Sequence, residues 1–175
     1  MKGCMAIDRQ KTETVHWHAV FTASRAEKKV RDRLEELGVE CFLPVQTVLR
    51  QWTYRKSRVV VPVIAGLVFV RVSRQEQVKV LQTKGVVAFL RLKGEAGDKQ
   101  MEDFRFLLDF SEEAVEMTNE NIKAGDLVRV VKGSLRGMEG ELIRHKGVTK
   151  VLVRIDMLGC AMVNIPASFV EKLNK

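Results

Sequence analysis

Side chains suited to holding a polyanion are concentrated between residues 47 and 58. This segment carries two aromatic rings, Trp52 and Tyr54, and four cations, and it contains no carboxylate. The cations are Arg50, Arg55, Lys56 and Arg58. Lys and Arg neutralise phosphate charge, and aromatic rings stack on bases. The segment predicts an extended arm that contacts nucleic acid; the alternative is a solvated hairpin with Trp52 folded onto the protein body.

Residues that could bind a metal or carry out catalysis are sparse. His16 and His18 would share one face of a strand, but no thiol or carboxylate cluster accompanies them. Cys4, Cys41 and Cys160 are far apart and form no C-x-x-C pair, so we expect Cys41 and Cys160 to be small core residues. The chain also lacks a P-loop, a G-x-S-x-G motif and a dinucleotide fingerprint. We therefore expect no metal, no cofactor and no enzymatic activity.

Charge is distributed unevenly along the chain. Thirty Lys and Arg residues against 22 Asp and Glu leave a net charge of +8. Residues 1–110 hold 20 basic and 13 acidic side chains, residues 111–121 hold none and four, and residues 122–175 hold ten and five. The excess favours a polyanionic partner. The charged N-terminus and the absence of a long apolar segment predict a cytoplasmic protein.

The first 110 residues alternate between strand and helix patterns. A β-branched and aromatic stretch at Val15–Thr22 fits a first strand. Ser24 and Glu27 have the spacing of a capping box, before a helix that Gly38 ends. Further strands are predicted at Val39–Leu43, in the apolar run Val59–Val72, and at Val86–Leu92.

Two more helices complete this pattern. Ser73 and Glu76 form a second capping-box pair, before a short helix through Val78 and Leu81. Asp98 precedes a third helix with one apolar side. The side chains expected on that side are Met101, Phe104, Leu107 and Leu108. The alternation predicts an α+β sandwich, in which helices cover a mostly antiparallel sheet.

The remainder of the chain is all-β in pattern. Residues 111–121 are polar and acidic, which predicts a linker. After them, four short strands are separated by turns that contain glycine, a pattern typical of a small SH3-like barrel. These strands are Leu127–Val131, Gly140–Ile143, Lys150–Ile155 and Met162–Ile165. The predicted organisation is a flexible segment at 1–14, an α+β domain at 15–110, a linker at 111–121 and a β domain at 122–175.

The stretch that begins with Gly125 and Asp126 and ends at Gly140 resembles the KOW motif. Its alternating apolar and charged residues predict a half-buried strand. Gly133, Gly137 and Gly140 permit the positive φ and the close backbone approach that a tight loop and return strand need. Ribosomal proteins and several elongation factors share the motif.

The whole arrangement is similar to the NusG family. The resemblance rests on the α+β domain that opens with Trp17, the acidic linker, and a terminal KOW barrel that ends at Phe169–Leu173. Within the family, four stretches are most similar to the UpxY antiterminators, of which RfaH is a better-known analogue. These are Glu40–Pro44, Val61–Val63, Leu67–Val70, and Gln100–Met101 followed by Phe104. Ile64–Leu67 replaces the aromatic-Pro-Gly-Tyr segment of general NusG proteins, which favours a specialised paralogue.

The resemblance implies a transcription elongation and antitermination factor that is a monomer and serves a polysaccharide operon. Its first domain would grip the clamp helices of RNA polymerase through an apolar concavity and suppress pausing and termination. The residues of that concavity would be Phe21, Phe42, Leu67, Phe69 and Phe89. The alternative is that these are core residues. Leu67 and Phe69, two positions apart on one strand, are the leading candidates.

The resemblance also implies contacts outside the concavity. Ser24 and Arg25, together with Arg74, would meet non-template DNA or nascent RNA. Met157 and Leu158, in a turn before Gly159, would contact a small-subunit ribosomal protein or Rho. RfaH-like proteins refold their C-terminal domain into helices, but five glycines in the equivalent region oppose a helix here, so we expect a constitutive β-barrel. The glycines are those at 133, 137, 140, 147 and 159.

Two other functions remain open. The chain could be a ribosome-associated or RNA-binding KOW protein, whose barrel binds structured RNA. It could also be a general NusG protein that works with Rho to terminate transcription.

Overall fold

The computed structural model describes residues 14–92, 94–118, 120, 122–155 and 158–173, with the side chains of 94–96 excepted. Its helices are α1 (Glu27–Glu36), α2 (Gln77–Gln82) and α3 (Gly94–Phe110). Its strands are β1 (His16–Thr22), β2 (Glu40–Phe42), β3 (Val45–Trp52), β4 (Arg55–Pro62), β5 (Leu67–Val72), β6 (Val86–Arg91), β7 (Glu116–Thr118), β8 (Asp126–Val130), β9 (Glu139–His145), β10 (Val148–Ile155), β11 (Gly159–Asn164) and β12 (Val170–Lys172). None of the described helices is long and apolar enough to cross a membrane.

Helix α1 ends as its sequence predicts but begins differently. Gly38 has φ +78°, and its N–H and that of Val39 donate to the carbonyls of Glu35 and Leu34, which is the hydrogen-bond pattern of a Schellman motif. The capping box predicted from Ser24 is wrong, because no side chain caps the first turn. Glu27 is buried instead and accepts the Gly66 N–H at 2.7 Å, which joins α1 to the turn before β5.

Four strands form the first sheet, in the order β2-β5-β1-β6, and all its pairs are antiparallel. One face packs on α1 and α2 through a cluster that includes Val20, Val30, Leu34 and Val80. The other face packs on α3 through Met101, Phe104 and Leu107, as the sequence predicts. The predicted sandwich of helices and antiparallel strands is therefore confirmed for this half of the chain.

The apolar run Val59–Val72 is not one strand. Its first part belongs to β4, which pairs with β3 in a two-stranded hairpin, and its last part is the buried strand β5. Pro62 ends β4, and Gly66, with φ +72°, lies in the turn before Leu67. Continuous hydrophobicity did not distinguish the two because an exposed hairpin can carry as many aliphatic residues as a buried strand.

Helix α2 buries a different face from the one predicted. Gln77 and Val80 are buried, whereas Val78 and Leu81 are about half exposed. The Ser73 N–H donates to Glu76 Oε2 at 2.9 Å, so half of the predicted capping pair forms, in the turn before the helix. A six-residue helix has too few positions for its apolar residues to define one face.

Asp98 is inside α3 and does not cap it. Its Oδ1 accepts the Trp17 N–H at 2.6 Å, and its Oδ2 is 2.7 Å from His16 Nδ1. This carboxylate attaches the start of β1 to the helix that covers the sheet. Its role depends on contacts with residues more than 80 positions away in the sequence, which no local pattern could show.

The second half is a six-stranded antiparallel sheet in the order β12-β8-β9-β10-β11-β7. Strand β7 lies within the predicted linker, and Val115 just before it is buried, so residues 115–118 are part of the packed structure. No pairing between β12 and β7 is seen among the described residues. The sheet is established, and the closed barrel stays a prediction.

Both halves share one hydrophobic core. Helix α3 contacts β1 of the first sheet and β10 of the second. A single cluster of buried side chains runs from Trp17 and Phe69 through Phe104 to Val128 and Val151. The second sheet is thus packed against the first half in this conformation.

Candidate functional site

Four of the five predicted polymerase-contacting residues converge on one face of the first sheet. Phe21 pairs with Leu67 across β1 and β5, and Phe42 pairs with Phe69 across β2 and β5. Directly opposite residues of an antiparallel pair point to the same side of a sheet. These four positions therefore form a continuous apolar surface on the side of the sheet that faces α3.

Phe89 does not belong to this surface. It pairs with Val20, whose side chain is in the cluster beneath α1 and α2, and its ring is 5.1 Å from that of His18. The prediction that Phe89 shares a concavity with the other four is wrong. Strand β6 is at the edge of the sheet, and sequence alone does not show which face of an edge strand points inward.

The four converging side chains differ in exposure. Leu67 and Phe69 are 0% exposed, Phe42 is partly buried and Phe21 is 39% exposed. Phe69 lies beneath α3, 6.1 Å from the ring of Phe104 and 6.2 Å from that of Phe42. In this conformation Leu67 and Phe69 are core residues, as the alternative interpretation expects, and only Phe21 is substantially accessible to a partner.

A pocket of ≈ 350 Å³ opens beside Phe21, at the seam between the two halves. Its walls combine the β4–β5 turn with side chains from the second sheet. The lining residues are Phe21, Val63, Ile64, Ala65, Leu67, Met117, Thr118 and Leu158. Val63 and Ile64 are functional candidates that sequence reasoning missed, although Ile64 begins the segment that replaces aromatic-Pro-Gly-Tyr, which was a usable signal.

Leu158 lies at this seam. Its side chain packs against the shared core, and it lines the pocket opposite Phe21. Met157, its predicted partner in an exposed loop, lies outside the described residues. An exposed contact to a ribosomal protein or to Rho was predicted for this loop, and in the present conformation Leu158 is partly buried within the protein.

The predicted basic contacts outside the β3–β4 hairpin fall into two separate places. Ser24 and Arg25 are exposed at the end of β1, where Arg25 has a left-handed φ of +57°. Arg74 follows β5, whose end pairs with the start of β1. The seven residues of β1 separate these sites, which is a distance of about 20 Å. The neighbour of Arg25 is the turn at Lys84 and Gly85, because the Ala23 N–H donates to the Gly85 carbonyl.

The β3–β4 hairpin carries the remaining predicted cations. Its strands pair from Val45↔Pro62 to Trp52↔Arg55, and Thr53 and Tyr54 form the turn. Trp52 is 55% exposed and Tyr54 97% exposed, so Trp52 is not folded onto the body of the protein. None of the four hairpin cations forms an ion pair with a described residue, which leaves their charge available to a partner.

The predicted KOW residues form the turn and strand pairs of the second sheet. Gly133 and Gly137 have positive φ, whereas Gly140 lies within β9. A Cβ atom at Gly140 would be 2.7 Å from Val151 Cγ1, so this glycine allows close strand approach. The Gly125 N–H donates to Glu141 Oε2 at 3.1 Å, and Asp126 pairs with Lys172 at 2.7 Å. These residues have structural roles here.

Two ion pairs connect strands of the second sheet through β10. The buried Lys150 ammonium lies 2.6 Å from Glu116 of β7, and this hydrogen bond lowers the pKa of Glu116. Arg154 binds Glu141 with both Nε and Nη2, which lowers the pKa of Glu141. These pairs attach β7 and β9 to β10.

Chemistry that would require a metal or a thiolate has no site in the described part of the chain. No three His, Cys, Asp or Glu side chains there are grouped so that they could hold a metal ion. Burial raises the pKa of Cys41 to about 12, so its thiol stays protonated. Cys160 is buried, as predicted, and Cys41 is half-buried. The surfaces described above are suited to contacts with macromolecules.

Comparison with known proteins finds one matching family model and similar solved structures. A family model described as "Transcription termination factor nusG" matches residues 15–105. No curated protein matches the chain. Among solved structures, the chain is similar to one described as "Crystal Structure of MjSpt4:Spt5 complex conformation B", with 18% identity, a TM-score of 0.30, and coverage of 91% of this chain and 98% of that chain. For conformation A of the same complex, the identity is 19%, the TM-score 0.24, and the coverage 91% and 99%.

Proposed function

This chain belongs to the NusG family of transcription factors. From that premise we propose that it binds transcribing RNA polymerase and suppresses pausing and termination. The matched residues include the whole first sheet and most of α3, which are the elements that build the apolar face. Proteins of this family are not enzymes, so the function depends on binding.

The polymerase contact that we propose begins at the seam. Phe21, Val63 and Ile64 line a partly open apolar pocket, and two clamp helices of the polymerase would insert apolar side chains there. Leu67 lies at the bottom of the same pocket and becomes available only if the second sheet moves away. Exposed Phe21 is the single observation on which the proposal chiefly rests.

Nucleic acid is the second proposed partner. Arg50, Trp52 and Arg55 share one face of the hairpin tip, where a ring and two cations that pair with no described carboxylate are suited to melted non-template DNA or nascent RNA. The strained backbone of Arg25 supports a separate contact at the start of α1. Arg74 would serve a third position, because it lies at the other end of the sheet.

Antitermination in a polysaccharide operon, as in UpxY proteins, is the specialisation that we propose. The support is sequence similarity in the four stretches around Phe42, Pro62, Phe69 and Met101, and the replacement of the family's tyrosine segment by Ile64–Leu67. We further propose that residues 15–110 and 122–175 are two domains joined by 111–121, which pack on each other through the shared core in this conformation, and that the second is a KOW domain with an SH3-like barrel.

A transcription assay tests this function. On a template with a terminator, the wild-type chain is expected to lengthen transcripts made by purified polymerase. Phe21→Asp should reduce that effect and weaken polymerase binding about tenfold or more, because it places a charge in an apolar contact. Val78→Asp, at a half-exposed position on α2, is the matched control and should behave as wild type.

Other outcomes separate the competing functions. Shorter transcripts that depend on Rho would identify a general termination factor. Capture of polymerase that disappears after nuclease treatment would favour an RNA-binding KOW protein. If the full chain does not bind transcribing polymerase, the proposed function is wrong.

A further inference from the structure

The β3–β4 hairpin has two faces of different chemistry. Strand pairing places Arg50, Trp52, Arg55 and Ser57 on one face near the tip, which we call the aromatic face. The opposite face carries the other two cations and a row of aliphatic residues, and we call it the aliphatic face. Its residues are Val45, Thr47, Leu49, Gln51, Lys56, Arg58, Val60 and Pro62. The sequence segment that predicted one arm thus forms two surfaces.

The aliphatic face is unusually exposed. Leu49 is 64% exposed, Val60 50% and Val45 36%. Leu49 is directly opposite Arg58, and Val60 is opposite Thr47, so the aliphatic side chains form a strip that begins at the base and ends beside the cations. From Val45 to Leu49 the strip is about 13 Å long. Three neighbouring exposed aliphatic residues on a two-stranded hairpin indicate a surface that is covered in use.

A groove continues this strip at the base of the hairpin. It has a volume of ≈ 420 Å³, and Val45, Val60 and Leu108 form its apolar walls. The opposite wall is residues 111–115, with the exposed carboxylates Glu112 and Glu113. Gln46 Oε1 accepts the Val115 N–H at 2.9 Å and holds the two walls together. The strip therefore has a cationic end at the hairpin tip and an anionic end at the groove.

This pattern is suited to a protein segment and not to nucleic acid. Aliphatic side chains do not stack on bases, and contact with a phosphate backbone would bury them without apolar surface to pack against. Glu112 and Glu113 would also repel phosphates. A protein segment with aliphatic residues at its centre, carboxylates at one end and a basic group at the other would match all three parts.

We propose that the aliphatic face of the hairpin and the groove at its base bind such a segment of the RNA polymerase, while the aromatic face contacts nucleic acid. The inference rests on the proposed function, since it takes polymerase as the partner. It assigns a second protein contact, on a different element from the Phe21 seam. The hairpin then lies between polymerase and nucleic acid.

Photo-crosslinking tests this assignment. Benzoylphenylalanine is placed singly at Leu49, Trp52 and Val78 of the full chain, and each protein is bound to a purified elongation complex with a labelled non-template strand. The Leu49 position is expected to crosslink to a polymerase subunit, with a product that survives nuclease. The Trp52 position should crosslink to the labelled strand, and the Val78 position should give neither product.

Affinity provides a second measurement. Leu49→Ser combined with Val60→Thr should weaken binding to the same complex about tenfold and leave its salt dependence unchanged, since no charge is removed. Crosslinking of Leu49 to the labelled strand, or wild-type affinity in the double variant, would overturn the inference while polymerase binding persists. Loss of all binding by the unmodified chain would instead overturn the proposed function, and this assignment with it.

Discussion

His18 is a buried histidine whose environment favours its neutral form. Its Nδ1 is the one buried side-chain nitrogen or oxygen without a partner among the described residues, and its ring lies against Phe89. Burial lowers its pKa from 6.5, and the nearby charges of His16 and Arg91 lower it further, while Asp98 acts in the opposite direction. Folding therefore disfavours protonation at this position.

The stability of the protein should consequently depend on pH near neutrality. A histidine with a lowered folded-state pKa contributes its full stability above pH 6.5, and that stability is lost as pH falls from 6.5 toward the folded pKa. Urea unfolding followed by tryptophan fluorescence should show a lower free energy of unfolding at pH 5.5 than at pH 7.5 for wild type, and a smaller decrease for His18→Leu. Equal decreases in the two proteins would contradict the assignment. The lower pH, 5.5, is above the ordinary pKa values of carboxylates, so their protonation contributes little to the decrease.

At the scale of elements, strand β9 depends on the small size of one residue. Gly140→Ala would place a Cβ atom 2.7 Å from Val151 Cγ1 and 3.0 Å from the Leu152 carbonyl oxygen. The strands β9 and β10 would have to separate, and we expect the free energy of unfolding to fall by about 1–3 kcal/mol. Thermal unfolding monitored by circular dichroism measures this change.

The turn between β9 and β10 supplies a control substitution that should not destabilise the protein. Lys146 and Gly147 both have positive φ, at 50° and 81°, which is the signature of a type I′ turn. Lys146→Asn should preserve or raise the unfolding temperature, because asparagine adopts this conformation more readily than lysine. An unaffected Gly140→Ala variant would show that strand spacing does not limit stability, and a destabilised Lys146→Asn variant would contradict the type I′ turn.

At the scale of the whole molecule, α3 joins the two halves into one packed unit. Phe104 is fully buried in the core that both sheets share, and its ring lies between those of Phe42 and Phe69 and the body of the helix. Phe104→Ala should lower the free energy of unfolding by about 3–5 kcal/mol. Because the core is continuous, the loss should appear in both halves.

Hydrogen exchange measures where that stability is lost. Peptides from β5 and from β10 are both expected to exchange faster in Phe104→Ala, whereas Leu37→Ala, at an exposed helix end, should change neither. Faster exchange confined to β5 would indicate that the second sheet is stable by itself. That result would contradict a shared core and support fully independent domains.

Local patterns in the sequence determined most of the secondary structure. The period-two strands of the second half, the apolar side of α3 and the glycine at the end of α1 all appear as expected, because each depends on neighbouring residues and backbone sterics. The resemblance to NusG likewise depended on motifs and their order along the chain. The cationic arm was also identified from its composition.

Only the tertiary structure decided which of these residues a partner can reach. Leu67 and Phe69 were the leading candidates and are buried, Phe21 remains accessible, and Phe89 faces the opposite side of the sheet. The same holds for Glu27 and Asp98, whose carboxylates bind backbone groups far away in the chain. Exposure and hydrogen bonding of this kind depend on what packs across from a residue, and that neighbour is set by long-range contacts that local sequence does not encode.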